Sequence, residues 1–180
     1  MPGLARTRSL LVAACALTLA IPACKREEKA RRGATVEETP ELASVVHVAD
    51  PKAAFQLVRG FYGLEQNSWR WTMRQFSVVL RPPAGAAKNG ATLQLKLSVP
   101  EPIIKRLGPV TLSASAGGAA LQPEPLAEAG EYTYTRDVPA SVLGGDSVTV
   151  DFALDKALSP GDVDKRELGI IVITVGLEPK

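Results

Sequence analysis

The chain has 180 residues, 46% of them hydrophobic and 22% charged, with a formal net charge of +2. This length allows one domain with a tail. Arg6 and Arg8 carry the surplus charge, so the chain after residue 23 is neutral overall and offers no basic surface to nucleic acid. Both cysteines, Cys15 and Cys24, lie near the N-terminus, which excludes a disulfide framework or a cysteine-ligated zinc site further along.

Residues 1–23 have the pattern of a secretory signal peptide. Two arginines and no acid precede an apolar run from Leu10 to Ile21. A run of about a dozen apolar residues is too short for a membrane-spanning helix, which needs ~20. A basic start, a short apolar centre and small residues at the end are typical of a signal that is cleaved.

The run ends in Ile21-Pro22-Ala23-Cys24, which resembles the lipobox of bacterial lipoprotein precursors. The resemblance implies a diacylglyceryl group on the Cys24 thiol, cleavage before Cys24, and attachment through acyl chains such as palmitate. The expected location is the cell membrane or outer membrane, with the protein facing the periplasm or the exterior. Two alternatives stay open: an ordinary signal that releases a soluble protein, and an uncleaved anchor.

Residues 24–44 begin with a charged run, Lys25 to Arg32, followed by a segment rich in Glu and Thr. Such a composition buries too little apolar area to offset the entropy lost on ordering. We therefore expect a flexible tether over residues 24–44 and a folded domain over residues 45–180.

The first predicted element of this domain is a short helix. Asp50 can cap its N-terminus, Pro51 suits the first helical position, and Gly60 suits the residue after its C-terminus. Phe55 and Val58 are three residues apart, so they would share one helical face.

After Gly60 the apolar period changes from helical spacing to two, the spacing of half-buried strands. Gly117-Gly118 predicts a hairpin turn, and the last apolar run predicts a central strand covered on both faces. The predicted strands are Met73–Leu80, Ala91–Val99, a strand with Val110, Leu112 and Ala114, Ala119–Gln122, Glu131–Val138, Val148–Leu154 and Leu168–Leu177. The fold class is therefore all-β, an antiparallel β-sandwich of jelly-roll or Ig-like type preceded by one short helix.

Six of the nine aromatic residues lie between Phe55 and Phe76. Flat aromatic rings beside polar groups can stack on sugar rings and bind their hydroxyls, which makes Tyr62, Glu65, Trp69 and Arg70 the candidate ligand-binding residues. The alternative is that the rings fill the core, which is the favoured interpretation for Trp71 and Phe76.

Gly60-Phe61-Tyr62 with Glu65 and Arg70-Trp71, together with the late segment Asp164-Lys165-Arg166-Glu167-Leu168-Gly169, resembles β-sandwich domains appended to some bacterial glycosyltransferases. The resemblance implies a carbohydrate-associated accessory domain. It also implies that Glu65, Arg70, Asp164 and Arg166 form paired charges where the two motifs meet. No transferase domain accompanies these motifs here, so the activity of such enzymes does not carry over.

No catalytic set is apparent, and no enzyme activity or cofactor is predicted. The single histidine, His47, leaves no Ser-His-Asp or Cys-His arrangement, and the alternative is a carboxylate pair of Glu65 with Asp164 that hydrolyses glycosides. Asp155, Asp162 and Asp164 offer oxygen ligands to calcium, with turn formation as the simpler interpretation.

The sequence predicts a membrane-anchored, non-catalytic β-sandwich that binds cell-envelope or exported polysaccharide. The alternative function is a structural or docking component of an envelope protein complex. The predicted partners are the membrane, through the lipid anchor, and either a polysaccharide or an envelope protein.

Overall fold

The computed structural model describes residues 41–161 and 164–180. Cys24, the signal peptide and most of the predicted tether lie outside the described residues. The strands are β1 (Val45–His47), β2 (Leu57–Glu65), β3 (Trp69–Leu80), β4 (Ala91–Val99), β5 (Val110–Ala116), β6 (Ala119–Leu126), β7 (Gly130–Val138), β8 (Val148–Leu154) and β9 (Ile171–Pro179). The helices are α1 (Ala86–Asn89), α2 (Glu101–Leu107) and the 3-10 helices Pro51–Gln56 and Ala140–Val142.

Every strand pair among the described residues is antiparallel. The order is β6-β5-β8-β3-β9-β4-β7, with β2 along β3 and β1 along β9. The long strand β3 links two halves, because its C-terminal part pairs with β8 and its N-terminal part with β9. One half is therefore β6-β5-β8-β3-β2, and the other is β7-β4-β9-β1.

The core lies between these halves. Phe76 of β3 stacks on Phe152 of β8 with ring centroids 4.8 Å apart, and Tyr134 of β7 meets Phe152 edge-on at 6.5 Å. All three side chains are buried in one apolar cluster. The prediction of an antiparallel β-sandwich is confirmed.

Strand β4 has the predicted bounds, and its alternation is confirmed. Leu93, Leu95 and Leu97 are buried, whereas Lys96 is exposed. Gly117 and Gly118 form the predicted turn between β5 and β6, both with positive φ.

The short helix is present but differs from its prediction. The Asp50 side chain accepts a hydrogen bond from the Lys52 backbone N–H at 2.8 Å, so the predicted cap is confirmed. The element is a 3-10 helix that ends at Gln56, and Gly60 lies inside β2 rather than after a helix. A Cβ at Gly60 would lie 2.0 Å from the Gln75 carbonyl oxygen, so this glycine permits the close approach of β2 to β3.

Strand β9 is central, as predicted, because it pairs with β1, β3 and β4. The prediction that it is covered on both faces is wrong, because Ile173 is exposed. A register shift opposite Lys96 and Leu97 places Ile173 in a bulge. The bulge inserts one extra residue, so an apolar side chain points outward without interrupting the buried face of Val172 and Val175.

Candidate functional site

The two motifs that carry the family resemblance meet in a small charge cluster, which we call the clasp: Glu65, Asp164, Arg166 and the Tyr62 ring. The Arg166 guanidinium donates to Glu65 at 2.7 Å and to Asp164 at 2.9 and 3.1 Å. It also lies 5.1 Å from the centre of the Tyr62 ring. The predicted pairing of Glu65, Asp164 and Arg166 is confirmed.

The backbone around the clasp explains why these residues meet. The chain before β9 is bonded to the start of β3: the Gly169 N–H donates to the Thr72 carbonyl at 2.8 Å, and the Thr72 N–H donates to the Ile170 carbonyl at 2.8 Å. A Cβ at Gly169 would lie 2.8 Å from both the Met73 carbonyl and the Thr72 hydroxyl. Only a glycine lets the two segments approach this closely.

Electrostatics in the clasp favour the ionised form of Asp164. The Arg166 side chain and then the Arg166 backbone N–H donate to Asp164 and hold the pKa of that carboxyl below its ordinary value. A glycosidase of the two-carboxylate type needs one carboxyl that stays protonated as the general acid. Glu65 and Asp164 share one guanidinium instead, an arrangement that suits closure of the fold better than proton transfer.

Arg70 does not join the clasp, and its predicted charge pairing is wrong. Its guanidinium donates to the backbone carbonyls of Val48 at 2.9 Å and Tyr62 at 3.0 Å. The side chain therefore ties β2 and the segment after β1 to β3. Sequence reasoning missed this role, because carbonyl oxygens leave no trace in the pattern of side chains.

The aromatic residues of this region are mostly covered. Phe76 is fully buried, as predicted, and Trp71 is partly buried against the core. Tyr62 and Trp69 are half-buried, and the Trp69 Nε1 is a buried donor without a hydrogen-bond partner among the described residues. Ligand binding at Tyr62, Glu65, Trp69 and Arg70 stays a prediction.

The predicted calcium ligands are only partly described. Asp155 accepts a hydrogen bond from the Thr111 N–H at 2.7 Å, Asp164 belongs to the clasp, and Asp162 lies outside the described residues. Within residues 41–161 and 164–180, no group of three or more His, Cys, Asp or Glu side chains is placed to hold a metal ion.

A surface groove that the sequence did not predict crosses the outer face of β3, β8 and β5, beside β2. We call it the outer groove, and its volume is about 310 Å³. Cross-strand registers place its side chains in two rows. One row is Ser113, Ala153 and Gln75, and the other is Ser115, Asp151, Ser77 and Arg59.

The shape of the outer groove follows from side-chain size. Serine and alanine on β5 and β8 form a shallow floor, whereas longer polar side chains project from β2 and β3. Residues on this face alternate with buried ones such as Phe152, because successive strand residues point to opposite faces.

A hydrogen-bonded trio lies at one end of the outer groove. The Ser77 hydroxyl, which is buried, donates to Asp151 Oδ1 at 2.5 Å. Arg59 Nη2 donates to the Ser77 hydroxyl at 3.0 Å and to Asp151 Oδ1 at 3.2 Å. The Arg59 and Asp151 side chains remain 58% and 48% exposed, so both still face solvent.

In two other surface grooves, polar side chains of the lining are already hydrogen-bonded to other groups of the protein. One, of about 180 Å³, lies over β1, β9 and β4, where His47 bonds Thr174 at 3.1 Å and Gln94 bonds Glu178 at 2.8 Å. The other, of about 500 Å³, lies between the edge strands β6 and β7. There Arg136 donates to backbone carbonyls of β6 and closes the seam between the two halves.

The described part of the chain contains no helix long and apolar enough to cross a membrane.

No protein-family model and no curated protein matches this chain. Several solved structures are similar in fold. A family GH115 4-O-methyl-alpha-glucuronidase with specificity for decorated arabinogalactans is 15% identical with a TM-score of 0.47, covering 78% of this chain and 18% of that one. An acetyl xylan esterase from Butyrivibrio proteoclasticus is 11% identical with a TM-score of 0.43, covering 77% of this chain and 32% of that one.

Carbohydrate-binding modules are also among the similar structures. The CBM36-1 domain of a multidomain xylanase from the Trinervitermes trinervoides hindgut metagenome is 8% identical, with a TM-score of 0.40 and coverage of 76% and 96%. A mannan-recognising module, TmCBM27, is 11% identical, with a TM-score of 0.41 and coverage of 76% and 95%. At these identities and scores, the likeness carries no argument about what this chain binds.

Proposed function

We propose that this protein is a non-catalytic polysaccharide-binding module held at a membrane by lipid on Cys24. The outer groove is the observation that carries the binding part of the proposal. It is a surface depression lined by hydroxyl, amide and charged side chains together with alanine and Phe152, and its size is at the lower end of ligand sites, which are ~300–1,000 Å³. A hydroxyl-rich polymer lying across a sheet face would find hydrogen-bond partners along its length.

The clasp supports a binding role over a hydrolytic one. Its two carboxylates are both held by Arg166, and the lowered pKa of Asp164 makes that residue a poor general acid for glycoside hydrolysis. A module that binds polysaccharide without cleaving it needs no such proton donor.

The direct test is a binding measurement with the full-length protein purified in detergent micelles. Mannan, xylan and dextran would be titrated by calorimetry, with heat-unfolded protein as the control. We expect at least one neutral polysaccharide to bind with a Kd below about 1 mM, a binding free energy of roughly −4 kcal/mol or stronger. Absence of binding to all three polysaccharides and to their carboxymethylated forms would remove the proposed function.

The lipid anchor is proposed from the sequence Ile21-Pro22-Ala23-Cys24 and from the charged segment that follows it. Intact mass spectrometry of the membrane fraction should show a chain that begins at Cys24 and carries added acyl mass. Cys24→Ser should remove the acyl mass and the cleavage, whereas Cys15→Ser, inside the apolar run, should change neither. An unmodified chain with an intact leader would contradict the anchor.

A docking role in an envelope complex is the second candidate, and two exposed apolar side chains favour it. Phe55 is 46% exposed and Val58 is 58% exposed, three residues apart where the 3-10 helix continues into β2. Exposed apolar patches often mark protein contacts. The Phe55→Ser/Val58→Ser double variant should lose a reproducible crosslinked partner in native membranes if docking is the role, while polysaccharide binding should persist.

A further inference from the structure

We propose that the outer groove recognises two neighbouring hydroxyl groups of a neutral sugar through Arg59 and Asp151, with Ser77 as the positioning residue. This inference rests on the proposed function and deepens it by assigning the site and the class of ligand. Three features carry it: the unused hydrogen-bonding capacity of the pair, the buried support beneath it, and the charge balance of the groove.

The first feature is a donor beside an acceptor. Asp151 Oδ1 already accepts from Ser77 and Arg59, and no hydrogen bond from the described residues reaches Asp151 Oδ2. Arg59 uses only Nη2 in these contacts, so further N–H donors remain. Adjacent sugar hydroxyls match this arrangement, because one can donate to the carboxylate while the other accepts from the guanidinium.

The second feature is the support under the pair. Ser77 is 3% exposed, and its hydroxyl accepts from Arg59 while it donates to Asp151. The strand register adds a second constraint, because Ser77 lies opposite Asp151 on β8 and opposite Arg59 on β2. The pair is therefore held in one geometry before a ligand arrives, which reduces the ordering cost of binding.

The third feature is electrostatic. Arg59 and Asp151 are the formal charges that line the outer groove, and they neutralise each other at 3.2 Å. The remaining polar side chains of the lining, Gln75, Ser113 and Ser115, carry no charge. An acidic sugar would find no unpaired positive charge in this lining to offset the loss of water from its carboxylate, so the groove favours a neutral polysaccharide.

The test uses the full-length protein in detergent and the neutral polysaccharide that binds it most tightly, together with the carboxymethylated form of the same polymer. Asp151→Asn and Arg59→Gln should each weaken binding of the neutral polymer roughly 10- to 100-fold, the loss expected for a hydrogen bond to a charged group. Asp151→Asn should also reduce the preference for the neutral polymer over its carboxymethylated form, because it leaves Arg59 as an unpaired positive charge in the groove.

Matched controls separate the groove from general effects of charge. Asp146 lies in an exposed loop and Arg106 on the exposed side of α2. The Asp146→Asn and Arg106→Gln variants should therefore both bind like the wild type. Ser77→Ala should weaken binding and also reduce the preference for the neutral polymer over its carboxymethylated form, because Arg59 and Asp151 are no longer held in one geometry. A loss of stability alone would weaken binding of both polymers equally.

A steric pair of variants covers the case in which the charge variants fold poorly. Ser113→Trp places a large ring on the exposed floor of the outer groove and should block binding. Thr133→Trp places the same ring at an exposed position of β7, on the other half of the sandwich, and should leave binding unchanged.

The outcomes distinguish the two proposals. If the wild type binds a neutral polysaccharide and the Asp151, Arg59 and Ser113 variants bind equally well, the site assignment is wrong and the proposed function stands. If the wild type prefers the carboxymethylated polymer, the assigned ligand class is wrong. If the wild type binds no polysaccharide, both proposals are overturned.

Discussion

At the scale of single residues, a glycine accounts for the close approach of β2 to β3. Gly60 has φ of +75°, and a side chain there would meet the Gln75 carbonyl and the backbone of Phe76. Gly63, three residues further along the same strand, has open space around the position of a Cβ. Packing therefore requires a glycine at position 60 of β2 but not at position 63.

This contrast gives the first prediction. Gly60→Ala should lower the free energy of unfolding by roughly 2–5 kcal/mol, because it adds about 1–2 kcal/mol of left-handed strain to an overpacking cost of ~1–3 kcal/mol. Gly63→Ala should stay within about 0.5 kcal/mol of the wild type, as exposed substitutions usually do. Urea unfolding followed by circular dichroism measures both, and equal effects would contradict the tight packing at Gly60.

The clasp predicts the direction of one pH effect. Arg166 lowers the pKa of Asp164 in the folded protein relative to an unfolded carboxyl, which titrates near ~3.9. The stabilisation by Asp164 is therefore complete above the unfolded value and is lost as the pH falls through the lowered folded value. Asp164→Asn removes this contribution.

We therefore expect Asp164→Asn to melt at a lower temperature than the wild type at pH 7, with a smaller further fall in Tm below about pH 4. Asp146→Asn, in an exposed loop, is the control and should follow the wild-type curve. Parallel Tm curves for the wild type and Asp164→Asn would show that Asp164 titrates alike in the folded and unfolded states.

At this scale, the sequence could predict the contacts of a charged residue only where its partner is another side chain. The resemblance carried by the two motifs implies the pairing of Glu65, Asp164 and Arg166, and the structure confirms it. Arg70 was assigned to the same group and instead bonds two backbone carbonyls, which no charge pattern reveals.

At the scale of elements, strands with a regular register were predictable and bulged ones were not. Strand β4 pairs with β7 without interruption, so its apolar and polar residues alternate cleanly in the sequence. Strand β2 has three register shifts against β3, which break the period of two and hide the strand. Strand β1 is only three residues long and carries too short a pattern to detect.

The outer groove also could not be predicted from the sequence of any one strand. Its lining comes from the adjacent strands β2 and β3 and from β5 and β8. These three segments are far apart in sequence and become neighbours only through the sheet order. The available signal was the set of small and polar residues at outward positions, Ser113, Ser115 and Ala153. That signal is shared by any exposed strand face until the registers are known.

The turn between β2 and β3 yields an element-scale prediction. Gln66 and Asn67 have φ of +47° and +54° in the three-residue loop between Glu65 and Trp69, and Asn and Gly are the residues that most readily adopt a positive φ. The Gln66→Asn/Asn67→Gly variant should raise the free energy of unfolding by roughly 0.5–2 kcal/mol, since it replaces the less suited turn residues.

The turn between β5 and β6 provides the comparison. Gly118 has φ of +86° and open space around it, so Gly118→Ala should be destabilising through backbone strain alone, by about 1–2 kcal/mol. Thermal unfolding of the Gln66→Asn/Asn67→Gly and Gly118→Ala variants measures both effects. A loss of stability in the Gln66→Asn/Asn67→Gly variant would show that contacts of the Gln66 or Asn67 side chain outweigh backbone preference.

At the scale of the whole molecule, the sheet joins the beginning of the domain to its end. Strand β9 pairs with β1 on one side and with β4 on the other, and its first residues pair with β3. Its buried residues Val172, Val175 and Leu177 belong to the common core. The sandwich therefore cannot be completed until the last strand is in place, which makes folding depend on contacts between distant parts of the chain.

This topology predicts that truncation at the C-terminal end is severe and that truncation at the N-terminal end has little effect on stability. Removal of residues 171–180 leaves β1 and β4 without their shared partner and exposes the core, so the shortened chain should lose cooperative unfolding and its β-type circular dichroism. Removal of residues 1–40 leaves every described core residue, from Val46 to Leu177, in place and should change Tm by only a few degrees. A sharp thermal transition in the chain that ends at Ile170 would show that β1 to β8 form a stable core by themselves. In that case β9 would be an added strand rather than the one on which the two halves depend.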